Sequence, residues 1–275
     1  MRALFDRRFW LPALAAIFAC ALLGPVGAAA KQPGAQAAPG DSLLGTFYKD
    51  PRPERLAGFL ERLQASPALQ NRDAYPLIAG FYAALFRKYP TDIDKLVPQA
   101  LDAKTAETIA AALRLSGNRQ MYQSFYPRLA ATGRDLDIAA LFVNLPSRLE
   151  DLEITDPSSL NILWGAAFAS GDATFVRQIL DYFAATANLD DEIGRDIVKT
   201  VGALTGGPRD IYIQMRQRYG MLGARRVVFA AEALWSLQVN AKQHAFVSGV
   251  VTKYIAAHPG TSAQKALTAT RQKAP

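Results

Sequence analysis

Three segments of this chain carry one apolar pattern. Met121, Tyr122, Phe125, Tyr126 and Leu129 stand at i, i+1, i+4, i+5 and i+8, and Phe175, Val176, Ile179, Leu180 and Phe183 repeat the spacing, as do Phe246, Val247, Val250, Val251 and Tyr254. At the helical repeat these positions form one broad stripe, whereas in a strand they would scatter over both faces. No stretch shows convincing period-two alternation, and no Asn-Gly or Asp-Gly hairpin turn occurs. The expectation is an all-α fold of stacked antiparallel helix pairs. It could take the form of an α-solenoid wound as a right-handed superhelix or of an irregular helical bundle.

Each stripe follows another apolar helix across a short polar turn: Ser116-Gly117-Asn118, Ser170-Gly171-Asp172 and, less clearly, Asn240-Ala241-Lys242. In the first two, glycine can take the left-handed position at the helix end, and Asn118 or Asp172 can cap the next helix. The preceding helices carry Leu163-Trp164 and Leu234-Trp235 at matching places, and small residues follow the first two stripes at Ala130-Ala131-Thr132 and Ala184-Ala185-Thr186. A helical hairpin cannot bury its inner face alone, so stacking such pairs is the natural route to a core.

Trp164-Gly165, Phe168 and Gly171-Asp172 together resemble the first helix and turn of the tetratricopeptide-like repeat class. The resemblance covers about 30 residues well and residues 108–259 loosely. The stripes begin at 121, 175 and 246, not at the roughly 34-residue spacing of that class. Arg177 stands where the motif has alanine, and no proline follows Ala187. The resemblance implies a scaffold that binds partners on a concave face, with no catalysis.

The N-terminus reads as an export signal. Arg2, Arg7 and Arg8 precede an uncharged, mostly apolar run over residues 9–30, which closes with Pro25 and the small residues Gly27-Ala28-Ala29-Ala30 before Lys31. A basic flank, an apolar helix and an A-x-A end are what signal peptidase recognises, so cleavage between Ala30 and Lys31 is expected, with Ala28 and Ala30 as the small side chains. The run is also long enough to remain as a membrane anchor. Ile17-Phe18-Ala19-Cys20 loosely matches a lipoprotein box. The expected location is the periplasm, with an inner-membrane-anchored form or a lipoprotein as alternatives. Contact with the membrane is expected only if the leader is uncleaved or lipidated.

Punctuation divides the rest. Residues 31–46, rich in Gly, Pro, Ala and Gln, read as a flexible linker. Residues 47–260 read as the helical domain. Asp50-Pro51 and Asp156-Pro157 mark helix starts, Gly206-Gly207-Pro208 marks a stop and a restart, and Pro259-Gly260 marks an end. Residues 261–275 read as a basic, frayed tail or marginal helix.

Several chemistries are set aside. The single cysteine, Cys20, lies in the leader, which excludes disulfides and thiol nucleophiles from a cleaved chain. His244 and His258 read as surface or capping residues without metal-ligand spacing. Asp92-x-Asp94 and Asp135-x-Asp137 fit helix starts, where acids favour the dipole, better than calcium loops. Ser262-Ala263-Gln264-Lys265 matches the S-x-x-K of penicillin-binding enzymes, but its partner motifs are missing. No cofactor or metal is expected, and no catalytic residue is assigned. The net charge of +7 is spread along the chain, so no nucleic-acid partner is expected. Arg216, Arg218, Arg225 and Arg226 around Gly220 and Gly223 form a candidate partner-binding basic patch. Trp164 and Trp235 read as core. The function expected is that of an exported scaffold binding another envelope protein. The alternatives are an all-α envelope glycan hydrolase or lyase with dispersed carboxylates, and a carrier of apolar ligands.

Overall fold

The computed structural model describes residues 41–66, 74–133, 145–204 and 211–271. The leader with Ala28, Ala30 and Lys31, the Gly206–Pro208 stop, and Asp135 and Asp137 lie outside the described residues. Among the described residues there are twelve α-helices and no strands, so the fold is all-α. The chain divides into two compact units: Met1–Glu153 with Asn161–Asp172, and Ile154–Leu160 with Ala173–Pro275.

The first unit holds α1 (Asp41–Thr46), α2 (Leu56–Gln64), α3 (Ala74–Lys88), α4 (Ile93–Leu96), α5 (Ala103–Ser116), α6 (Arg119–Ala130) and most of α7 (Pro157–Ser170). Its centre is α3, buried continuously from Leu77 to Phe86. A helix apolar on all sides belongs inside a unit. One of its few polar atoms is satisfied, because the Tyr82 hydroxyl donates to the Leu56 carbonyl at 3.2 Å. α3 packs along α5. It also meets α7 backbone to backbone: a Cβ placed on Gly80 would lie 1.8 Å from the Ile162 carbonyl oxygen, and one on Gly165 would lie 1.9 Å from that of Leu77.

Two expectations near the start of this unit are corrected. The linker predicted through residue 46 ends in α1, followed by a 3-10 turn at Phe47–Lys49. Phe47 is buried and meets the Phe81 ring edge-on at 5.4 Å. Leu43, Leu44 and Phe47 supply the apolar spacing that the surrounding Gly and Pro obscured. The helix predicted to open at Asp50-Pro51 begins at Leu56, after a second 3-10 turn at Pro53–Arg55. Leu56, Phe59 and Leu60 are buried as the spacing requires.

The turn between α5 and α6 is built as its residues dictate. Gly117 takes φ 73°, and the Asn118 side chain accepts from the Met121 N–H at 2.9 Å. Met121, Phe125 and Leu129 of the first stripe are buried, while Tyr126 is exposed. Asp156 likewise caps α7 by accepting from the Ser159 N–H at 2.9 Å.

The second unit holds α8 (Ala173–Ala187), α9 (Asp191–Leu204), α10 (Ile211–Gln243), α11 (Ala245–Ala257) and α12 (Ser262–Arg271). All five stripe residues of α8 are buried, and α8 packs against each of the other four helices. α12 returns to pack on α9 as well. Of the two arrangements expected, this unit takes the irregular bundle. Gly171 takes φ 69° before α8, as its turn predicts.

Two further corrections fall here. The tail expected to be frayed or a marginal helix is the helix α12, packed rather than marginal, with Ala263, Ala266, Leu267 and Thr270 buried. Its apolar face is made mostly of small residues, which have low hydropathy but allow close approach. The Asn188 side chain accepts from the Ala263 N–H at 2.9 Å, and the Gln238 side chain donates to the Leu267 carbonyl at 2.9 Å. The turn predicted at Asn240–Lys242 lies instead at His244, which has extended backbone angles and is buried. Residues 240–242 hold neither glycine nor proline, so the helix runs through them.

Candidate functional site

The site that stands out in the second unit is a break in α10. Gly220 has φ 68° and ψ −178°, a region essentially closed to residues with a Cβ. A helical segment before the break, Ile211–Tyr219, is therefore joined to a second one, Met221–Gln243, at an abrupt angle. Gly220→Ala is expected to lower the stability of the protein by about 1–3 kcal/mol, read as a shift in its urea midpoint. An unchanged midpoint would mean that the break tolerates a Cβ.

Asp196 on α9 fixes the segment before the break. Its carboxylate, 1% exposed, accepts from Arg218 at 2.6 Å, from the Tyr219 hydroxyl at 2.8 Å and from Lys199 Nζ at 3.0 Å. Lys199 lies three residues on and shares the helix face. Arg218 reaches Glu192 as well, at 3.1 Å. Burial alone would raise the Asp196 pKa. The hydrogen bonds from Lys199, Tyr219 and Arg218 outweigh it and hold the carboxyl below the ordinary aspartate value. Asp196 thus grips the two residues immediately before Gly220.

The segment after the break presents apolar side chains to solvent. Met221 is 58% exposed and Leu222 74%, while Ala224 and Val227 turn into the bundle. Arg225 and Arg226 follow at i+4 from Met221 and Leu222, on the same face one turn along. The Arg225 guanidinium also lies 5.7 Å from the Phe229 ring centroid. Burial raises the neighbouring Tyr182 phenol to about 12, against a lowering influence of Arg226. Ile213, before the break, is 55% exposed.

The four arginines of the predicted patch are therefore not equivalent. Arg218 turns to Asp196 and Glu192, and Arg216 is exposed on the segment before the break. Arg225 and Arg226 accompany the exposed apolar pair. Reading the sequence for charge missed Met221, Leu222 and Asp196. The available signal was Met221-Leu222 set between Gly220 and Gly223, an apolar pair inside a basic turn.

A cleft of about 390 Å³ opens between α9 and α12, lined by Asp191, Arg195, Val198, Lys199 and Lys265 among others. Here the S-x-x-K residues meet α9. The Ser262 hydroxyl donates to the Asp191 carboxylate, and Lys265 Nζ lies 3.8 Å from it. The Ser262 hydrogen bond, with Lys265 adding to it, holds the Asp191 pKa below its ordinary value. Ser262 and Lys265 on Asp191 fasten α12 to α9. Lys199 and Arg218 also line a second cleft of about 460 Å³, with Asp196, Gln214, Met215 and Gln217.

The remaining candidates have structural partners. Trp164 is buried and stacks on Phe168 at 5.6 Å, and Trp235 is half-buried. Asp92 pairs with Lys95 at 3.1 Å and Asp94 with Arg128 at 2.8 Å. His244 is buried at the N-cap position of α11, and His258, at its C-cap, stacks on Tyr254 at 4.1 Å, so both occupy helix-cap positions. Among the described residues no three His, Cys, Asp or Glu gather as metal ligands, and no helix is long and apolar enough to cross a membrane. No family model, curated protein or solved structure matches the chain.

Proposed function

We propose that the protein is an exported helical scaffold of the cell envelope that acts by binding, through the surface at the Gly220 break. The observation that carries this reading is the exposure of Met221 and Leu222 on a turn whose backbone only glycine allows. An apolar pair held in solvent at such a conformation costs stability, which a binding role accounts for. The clefts lend less support to catalysis. Their carboxylates, Asp191 and Asp196, are each engaged by a hydroxyl and a cation of neighbouring helices. The basic flank, apolar run and Ala28–Ala30 end of the leader support export.

The test uses the cysteine content of the chain. With Cys20 removed in the leader, Leu222→Cys becomes the sole thiol of the mature protein. The expected results are a periplasmic product beginning at Lys31 and a thiol-directed cross-link from position 222 to an envelope component. Retention in the cytoplasm, or no cross-link above that of a Cys placed at exposed Lys253, would overturn the reading.

A further inference from the structure

We propose that Met221 is a site of reversible oxidation by peroxide, and that its sulfoxide weakens binding at the turn after Gly220. This rests on the reading of that turn as the binding surface, and it supplies the regulation of that surface.

The sulfur atoms of the chain are few. It holds four methionines and one cysteine. Met1 and Cys20 lie in the leader, so a chain cut after Ala30 keeps its sulfur at Met121, Met215 and Met221. Met121 and Met215 are each 4% exposed and belong to the core, whereas Met221 is 58% exposed. The break at Gly220 lies between the covered Met215 and the open Met221. Gly220 has no side chain to shield its neighbour, and a Cβ placed there would meet nothing within 4 Å. Oxidation of a thioether follows the access of the oxidant to sulfur. The fold therefore directs peroxide to one methionine, and that methionine is half of the exposed apolar pair.

The step is an oxygen transfer. The sulfur lone pair attacks one oxygen of hydrogen peroxide, an S–O bond forms and the O–O bond breaks. Sulfur loses an electron pair and the peroxide gains it. The departing hydroxide takes the proton of the transferred hydroxyl and leaves as water. In the reverse step a methionine sulfoxide reductase supplies a pair of thiols, which become a disulfide while the oxygen leaves as water.

The product changes the surface and spares the core. A sulfoxide is polar and chiral where the thioether was apolar and pliant. On the free protein water solvates the new oxygen, because Met221 already stands in solvent. In a complex the same oxygen must be stripped of water beside Leu222, which opposes burial of the pair. Binding weakens while the fold keeps its stability.

The experiment treats the protein, purified from exporting cells, with hydrogen peroxide, removes the peroxide, and locates added oxygen by peptide mass spectrometry. Met221 is expected to be oxidised at least about tenfold faster than Met121 and Met215 in the folded protein, and at a similar rate to them in urea. The urea midpoint should be the same before and after selective oxidation. Binding is read by competition against the cross-link that Leu222→Cys forms with its envelope component. At least about tenfold more oxidised than untreated wild type should be needed to compete, the scale of one apolar side chain kept in water. Methionine sulfoxide reductases with dithiothreitol should restore competition. Met221→Leu should compete equally with and without peroxide. Equal oxidation of the three methionines in the folded protein, a lowered midpoint, undiminished competition by the oxidised protein, or peroxide sensitivity retained in Met221→Leu would overturn the proposal; each of these leaves the scaffold reading standing. Absence of any cross-link from the untreated protein would overturn that reading and the switch with it, whatever the pattern of oxidation.

Discussion

Gly165→Ala is expected to destabilise the protein by roughly 3 kcal/mol or more, although alanine is the better helix former by about 1 kcal/mol. The two effects have opposite signs, and geometry decides between them. The added carbon would sit 1.9 Å from the Leu77 carbonyl oxygen and 2.7 Å from the Phe81 nitrogen. Both obstacles are backbone of α3, inside its continuously buried run, so no flexible side chain can move aside. α7 and α3 must separate, and the buried side chains on both lose their contacts. Overpacking a core commonly costs about 1–3 kcal/mol, and a backbone obstruction places this site at the upper end or beyond. Gly202→Ala in α9 is the control. It meets nothing within 4 Å and should stabilise by about 0.5–1 kcal/mol. Urea unfolding of both variants separates the cases. A Gly165→Ala protein as stable as wild type would show that the crossing can open without cost.

That same glycine shows where sequence reading stops. Trp164-Gly165 looked like part of a repeat motif, a local relation. Its physical role is to let α3 approach, and Leu77 is 88 positions away along the chain, from 77 to 165. Nothing local encodes that partner. Features whose physics is local were legible: the helical stripes, the glycine turns at 117 and 171, and the Asn118 and Asp156 caps. α12 read as no more than a marginal helix because its buried face is Ala263, Ala266 and Thr270 around one leucine. Hydropathy undervalues small residues that gain burial through close packing. The candidate site was half visible. Arginines around Gly220 and Gly223 marked a junction, and Gly220 is one. The break exposes Met221 and Leu222 because Ala224 and Val227 on the next turn take the core side, a choice set by the bundle and not by those residues alone.

Asp196 was invisible for a related reason: in the run Asp191–Lys199 it reads as one more charge on a solvated helix, and its partners Arg218 and Tyr219 lie on another helix. Asp196→Ala is expected to cost about 1–3 kcal/mol, from the hydrogen bonds that the buried carboxylate makes to Arg218, Tyr219 and Lys199, since the two cations are about half exposed and regain water. Asp196→Asn keeps the shape and removes the charge, so it should cost less and reveal the titration. The native carboxyl lies below its ordinary value, while in the unfolded chain it titrates at about 3.9. A depressed native pKa adds stability that is fully present above the unfolded value and is lost as pH falls through the folded one. The stability gap between wild type and Asp196→Asn should therefore stay constant from neutral pH down to about 5, and then narrow as the unfolded carboxyl begins to bind protons. A gap that persists unchanged into acid would mean that the charge of Asp196 contributes nothing. The same variant should speed amide exchange at Met221 and Leu222, since Arg218 and Tyr219 are the residues through which α9 holds the segment leading into Gly220. Faster exchange there with α8 unaffected would tie the buried carboxylate to the exposed turn.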